Sequence, residues 1–297
     1  MINNNPLISV ITPTYNSQDH LAECLDSLFN QKFKSFEHIV IDSLSSDKTL
    51  QIIKNKKKTK IINKKSNIYE AYNIAIEKSN GKYIFILNSD DKLDQDAFSN
   101  FYEEYKKNKD IDLFSSIGVE FQDNINNILR IRKFTEAKLF QKGIIKFKSQ
   151  SILGCYIKKD IYKKLNYFNT TLSISSDKDF LIKMALMNLK VFNINHNSYF
   201  IRSHGKSMTF GNSSKEKLLE AIRQNFIITN LYSKNVKIPL GVKYFCCLIL
   251  IYRNIQDIKI NFKVGIIKKI IKIFKLVPIF FLLSIYFIRI KVYEKLI

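Results

Sequence analysis

The sequence predicts an α/β fold built on a mostly parallel sheet, and three observations carry that prediction. Short apolar runs, "LISVIT" (7–12), "FEHIVID" (36–42) and "KYIFIL" (82–87), alternate with longer segments of helical apolar spacing. Runs without polar alternation mark strands buried on both faces, as parallel sheets require. Acids follow the runs: Asp42 closes the second strand and Asp90–Asp91 come just after the fourth. They fall at strand carboxyl ends, where such sheets gather ligands.

Taken in order, the first strand is ended by Pro13, and residues 18–31 carry Leu21, Leu25, Leu28 and Phe29 at helical spacing. After the second strand, "SSDKTLQIIKN" reads as a capped helix and "TKIIN" (59–63) as a third short strand. "NIYEAYNIAIEKS" (67–79) places Ile68, Ala71, Tyr72, Ala75 and Ile76 on one helical face, with Gly81 following as a C-cap would. The fourth strand runs into Asn88, Ser89, Asp90 and Asp91. Two adjacent carboxylates repel and are costly to desolvate. They fit either a solvated loop, with Asp94 capping the next helix, or a site for a divalent cation. Beyond residue 111, "DIDLFSSIGVEF" and "NILRIRKF" read as strands of a mixed extension, and "SQSILGCYIKKDIYKKL" as a strand and a short helix. "SSDKDFLIKMALM" (175–187) reads as a capped amphipathic helix, and "KVFNIN" and "SYFIRS" as a closing pair of strands.

The 297 residues suffice for one large domain with an appendage, and 46% apolar content supplies a core. A net charge of +22 raises nucleic-acid binding as an option. Only six of the 48 basic residues are Arg, which argues against it, because base and phosphate readers favour bidentate Arg. Cys24, Cys155, Cys246 and Cys247 lack metal-ligand spacing and read as reduced thiols of a cytoplasmic protein. The polar N-terminus enters a strand at once and shows no signal peptide.

The last third changes character. On a wheel of residues 263–275, Lys268, Lys269, Lys272 and Lys275 share an arc of about 120°, opposite Val264, Ile266, Ile267, Ile270, Ile271, Ile273 and Phe274. A charge-free run, "LVPIFFLLSIYFI" (276–288), follows. It is shorter than the roughly 20 residues of a spanning helix, so it is expected to lie in a membrane interface or pack on protein.

"ISVITPTYNSQDHLAECLDSLFNQKFKSFEHIVIDSLSSDKT", "NIYEAYNIAIEKSNGKYIFILNSDD" and "IYKKLNYFNTTLSISSDKDFLIKMAL" together resemble the family-2 glycosyltransferases, in the right order over roughly residues 6–210. The resemblance implies a GT-A fold and an inverting transferase that moves a sugar from a nucleotide-diphosphate donor, expected to be a UDP-sugar, to a glycan or lipid-linked acceptor in surface polysaccharide synthesis. It implies a catalytic domain over 1–212, with a nucleotide-binding half (1–110) and an acceptor half (111–212), and a basic helical extension over 213–297. The protein is expected on the cytoplasmic side, peripheral and monotopic on the anionic inner face of the cell membrane, with no nucleic-acid partner.

The resemblance also implies roles for particular residues. Thr12, Pro13 and Tyr15 would frame the base, and Asp42 would accept hydrogen bonds from base or ribose. Asp91, with Asp90 beside it, would hold Mn²⁺ or Mg²⁺ against the diphosphate. Asp177 would be the general base, with Asp179 its rival, and His204 would be basic or metal-directed. Each has a plainer reading: Asp42 as a turn cap, Asp177 as a first-turn helix acid, and His204 as structural or solvated. Arg202 and Lys206 would assist the diphosphate or face solvent. The chain departs from the polysaccharide enzymes it most resembles at Asn63, Lys65, Asn67, Asn88 and Ser149, which bear on sugar identity and activity. A nucleotidyltransferase would want a Gly-rich loop after the first strand, and "TPTYNSQ" has none. A binding or scaffold protein without catalysis is the third class.

Overall fold

The computed structural model describes residues 5–56, 58–122, 124–143, 145, 152–205, 215–233, 242 and 246. Ser149, Lys206, Cys247 and the stretches 263–275 and 276–288 lie outside the described residues.

Strand β1 (Ile8–Thr14) pairs in parallel with β2 (Phe36–Asp42) on one side and β4 (Tyr83–Ile86) on the other. The third strand, β3 (Thr59–Asn63), continues the parallel sheet beyond β2. These strands are linked by α1 (Leu21–Phe29), α2 (Thr49–Lys54) and α3 (Ile68–Glu77). Val10 and Phe85 face one core cluster while Ile11 and Ile84 face another, so the sheet is buried on both sides.

The second half adds β5 (Lys92–Leu93), α4 (Ala97–Lys107), β6 (Leu113–Gln122), β7 (Asn124–Arg132), α5 (Ala137–Gln141), β8 (Cys155–Lys158) and α6 (Lys159–Lys164). Then come α7 (Ser176–Ala185), β9 (Val191–Ser203) and α8 (Lys215–Ser233). The sheet order is β3-β2-β1-β4-β8-β6-β9-β5, with β7 paired to β6. Antiparallel β8 wedges between β4 and β6, which makes the sheet mixed.

Three local expectations change. The segments read as a closing pair form one continuous strand, β9, running parallel to β6. The intervening "HN" does not reverse the chain; both halves pair with β6, and an irregularity opposite Ser115–Ile117 absorbs the register change. Gly81 does not cap α3, which ends at Lys78 in ordinary helical geometry. Its place is fixed by close approach: a Cβ there would lie 2.5 Å from the Ser9 backbone nitrogen. Asp94 does not cap α4, whose N-cap position is Asp96; its Oδ1 accepts the Asp96 N–H at 2.9 Å.

Helix α8 turns polar side chains inward. Gln224, Asn225 and Thr229 are buried, whereas Leu219, Phe226, Ile227 and Leu231 are exposed. Buried polar groups are generally hydrogen-bonded: Gln224 meets the segment before α7, Asn225 Oδ1 accepts from Lys178 Nζ at 3.3 Å, and Thr229 Oγ1 donates to the Cys246 carbonyl at 3.1 Å.

Candidate active site

A cleft of about 1140 Å³ opens at the carboxyl ends of β1 and β4. Its walls are the Pro13–Ser17 turn, Ser43 and Leu44, the segment from Lys65 into α3, the Asn88–Asp91 turn, and Ile174, Asp177 and Lys178. Asn16 and Leu44 have φ of 46° and 60°, so the turns beside the cleft hold left-handed residues. Asn16 is held there by its Oδ1, which accepts the Ser46 N–H at 2.9 Å. Tyr15 is 66% exposed and presents an open ring face at the rim.

The two aspartates after β4 differ sharply. Asp91 is buried; its Oδ2 accepts from Tyr199 Oη at 2.7 Å and Asn88 Nδ2 at 3.2 Å, and its Oδ1 from the Arg202 backbone N–H at 2.9 Å. Burial, and then the charge of Asp90, push its carboxyl well above the usual range. Asp90 is more open and pairs through Oδ2 with His204 Nε2 at 3.0 Å. His20 packs against His204 with ring centroids 4.9 Å apart and planes tilted by 56°. Burial, with Arg202 and His204 alongside, lowers the His20 pKa.

Arg202 does not face solvent. Its Nε donates to the Asp90 carbonyl at 3.0 Å, its guanidinium pairs with Glu23, and it lies 4.7 Å from the Phe121 ring centroid. Also lining the cleft, Asp177 Oδ1 and the Ile174 carbonyl share the single hydroxyl proton of Tyr69, at 3.2 Å and 2.9 Å. Each of these carboxylates therefore has its own buried tyrosine. Burial and the neighbouring aspartate raise the pKa of both Tyr69 and Tyr199, keeping them as donors.

Several sequence-predicted residues lie elsewhere. Asp179 is buried away from the cleft lining, accepting from Tyr232 Oη at 2.6 Å and pairing with Lys183 at 2.7 Å, so the rival base is already engaged. Thr12 is also buried and bonds His38 Nε2 at 3.0 Å rather than framing a base. Asp42 is fully buried too, and its oxygens accept from Thr14 Oγ1 at 2.8 Å, Ser45 Oγ at 2.6 Å and Ser45 N–H at 2.8 Å. Those bonds tie the turns after β1 and β2 together, and Asp42 is not part of the cleft lining. Pro13, Tyr15, Asp90, Asp91, Asp177 and His204 do share the cleft. Tyr69, Tyr199, His20 and Glu23 were missed, because nothing in a single sequence marks a buried phenol or a first-turn acid as a partner of distant residues.

The carboxylate oxygens of Asp90 and Asp91 suit Mn²⁺ or Mg²⁺. Among the described residues no group of three or more His, Cys, Asp or Glu forms a ready metal cluster. A hard cation held by one or two carboxylates together with substrate phosphates fits such a sparse donor set, and the Asp90–Asp91 repulsion is what a cation would relieve.

The family model described as Glycosyl transferase family 2 matches residues 9–168, more than half of the chain. The chain belongs to glycosyl transferase family 2. This family-2 chain is 32% identical over 197 residues to the poly(ribitol-phosphate) beta-N-acetylglucosaminyltransferase TarP of Staphylococcus aureus, covering 63% of this chain and 59% of TarP. It is 33% identical over 190 residues to the uncharacterized glycosyltransferase MJ1057 of Methanocaldococcus jannaschii, covering 60% of this chain and 64% of that protein. It thus spans less than two thirds of either relative. Among solved structures, Staphylococcus aureus TarS 1–349 in complex with UDP-GlcNAc aligns with a TM-score of 0.64 at 20% identity, covering 88% of this chain and 77% of TarS 1–349. The mannosyltransferase PcManGT of Pyrobaculum calidifontis, in complex with GDP-Man and Mn²⁺, aligns at 0.60 with 16% identity, covering 93% of this chain and 80% of PcManGT. These likenesses establish the GT-A fold.

Proposed function

We propose that the chain is a metal-dependent inverting glycosyltransferase that passes a sugar from a UDP-sugar to a glycan or lipid-linked glycan of a surface polysaccharide. The observation that carries this reading is that two tyrosine-bonded carboxylates, Asp91 and Asp177, from separate parts of the chain line one cleft. TarP and TarS, which share the family or fold, are named for N-acetylglucosamine transfer, and TarS 1–349 binds UDP-GlcNAc.

In this reading Pro13 and the open Tyr15 ring receive the base, and Asp90, Asp91 and His204 flank the diphosphate. Mn²⁺ or Mg²⁺ bound at Asp91, with His204 as a further candidate donor, would neutralise charge on the departing nucleotide. Asp177, in the same cleft, takes the proton of the acceptor hydroxyl as that oxygen forms the new bond to the anomeric carbon. The bond to the diphosphate oxygen breaks on the other face, so configuration inverts. Tyr69 fixes the direction in which Asp177 points.

Calorimetry of UDP binding, with and without Mn²⁺, tests the donor and metal together. The wild-type protein is expected to bind UDP more tightly with Mn²⁺, and Asp91→Asn to lose that gain. No heat with any nucleotide diphosphate would favour a scaffold. A screen of nucleotide-sugar hydrolysis then names the donor.

The tail completes the proposal. Its Lys arc and apolar face fit docking on the anionic inner leaflet, where each nearby Lys or Arg is worth about 1 kcal/mol. Among the described residues no helix is long and apolar enough to cross a membrane. Deleting residues from about 236 onward is expected to abolish sedimentation with anionic liposomes and spare UDP binding; continued sedimentation would make the tail a packing element.

A further inference from the structure

Helix α7, which presents Asp177 in its first turn, has no side-chain cap of its own: Ser175 occupies the N-cap position without a capping hydrogen bond. A helix start normally draws an acceptor from its own N-cap residue. Another helix instead braces the two residues that lead into α7. Gln224 of α8 accepts the backbone N–H groups of Ile174 at 3.0 Å and Ser175 at 3.1 Å with one oxygen. Its amide nitrogen donates to Ser173 Oγ at 2.9 Å and Glu220 Oε1 at 2.7 Å. The side chain is 1% exposed and is not part of the cleft lining. From the other side, Tyr69 Oη holds the Ile174 carbonyl.

Given the reading of Asp177 as the base, we infer that Gln224 is a positioning residue for transfer: it ties the Ile174–Ser175 backbone to α8 and so fixes the segment that aims the Asp177 carboxylate. Helix α8 lies outside residues 9–168 matched by the family model, so the family motifs do not include this clamp. Gln224 can act on chemistry without acting on the donor. It bonds the Asp177 loop, whereas Asp90 and Asp91 are held by β9 and by His204. A loop released by about 1 Å costs on the order of 10²-fold in rate.

The test uses the full chain with UDP-GlcNAc and Mn²⁺ as probe, reading UDP release for kcat and donor KM, alongside the melting temperature. Gln224→Leu is expected to lower kcat about 10–100-fold, leaving donor KM and UDP affinity within about twofold. Gln224→Asn, which keeps the amide but falls short by one methylene, is expected to do the same more mildly and guards against misfolding of the leucine variant. The exchange Glu220→Gln with Gln224→Glu rebuilds the acceptor for both amides and a donor beside it, and is expected to recover most of the rate. In the Asp177→Asn background, Gln224→Leu is expected to add nothing. Wild-type kcat in both single Gln224 variants, with Asp177→Asn inactive, overturns the role of Gln224 and spares the base. A kcat loss matched by weaker UDP binding and a lower melting temperature also overturns it, leaving Gln224 a stabilising residue. Retained transfer in Asp177→Asn removes the base and the positioning role together.

Discussion

Tyr199 Oη donates to Asp91 Oδ2 at 2.7 Å while accepting the Asn88 backbone N–H at 3.1 Å, so one buried phenol ties the aspartate turn to β9. Removing it takes the acceptor from the half-buried Asn88 N–H and a donor from a carboxylate already costly to ionise. Tyr199→Phe is expected to destabilise the fold by about 1–3 kcal/mol and to weaken Mn²⁺-dependent UDP binding. Urea unfolding and calorimetry measure the two effects. A variant with wild-type values in both would reduce the tyrosine to packing.

Helix α7 predicts a contrast between two acids. Asp177→Asn keeps the shape of the side chain but cannot take a proton, so transfer should fall about 10²–10⁴-fold with UDP binding retained. Asp179 bonds Tyr232 and Lys183 in the interior. Asp179→Asn should therefore lower the melting temperature more than it lowers transfer by the folded protein. Single-turnover rates beside thermal melts separate these outcomes, and the reverse pattern would exchange the two roles.

How much of this was legible in the sequence depends on range. The strands β1, β2 and β4 declared themselves because burial on both faces leaves no polar alternation, and Leu21, Leu25 and Ala75 mark helix faces by local spacing alone. The acids at the strand ends were legible for the same reason: their position follows from the strand before them. The partners of Asp42, Thr14 and Ser45, were not legible, because they flank a turn whose left-handed residue, Leu44, is not the glycine that would announce it. Gln224 and Tyr199 were invisible because their partners lie tens of residues away.

His38 supplies an acid-stability prediction. It is buried between Thr59 Oγ1 at 2.9 Å and Thr12 Oγ1 at 3.0 Å, and burial pushes its pKa down from 6.5 to about 3. Between those values the unfolded chain binds a proton that the native protein refuses, so stability rises with pH across this window. The contribution is complete above pH 6.5 and is lost as pH falls toward 3, at up to about 1.4 kcal/mol per pH unit. Replacing His38 by Gln should flatten that part of the stability–pH curve, read by urea midpoints at several pH values. An unchanged slope would place the acid sensitivity in the carboxylates.

Gly81 tests the opposite end of the sheet. A methyl group there would meet Ser9 N and Oγ at 2.5 Å and the Ile8 carbonyl carbon at 2.8 Å. Backbone cannot yield as a flexible side chain can, so Gly81→Ala should cost about 1–3 kcal/mol. UDP binding by the folded fraction should be unaffected, since the contact lies at the amino end of β1. Thermal melting with calorimetry checks both.

The hold of β9 on the aspartate turn has a consequence for how the protein comes to exist. Tyr199 follows Asp91 by 108 residues and Arg202 by 111, so the chain is synthesised well past the donor motifs before the groups that orient Asp91 emerge. Contacts of such sequence separation close late, after the entropy of a long loop has been overcome. A nascent chain ending near residue 110 would carry both aspartates and the Pro13–Tyr15 turn, yet have nothing to hold the carboxylate in place. Donor competence should therefore arrive in one step with the docking of β9, and premature termination should leave a fragment that cannot sequester nucleotide sugar.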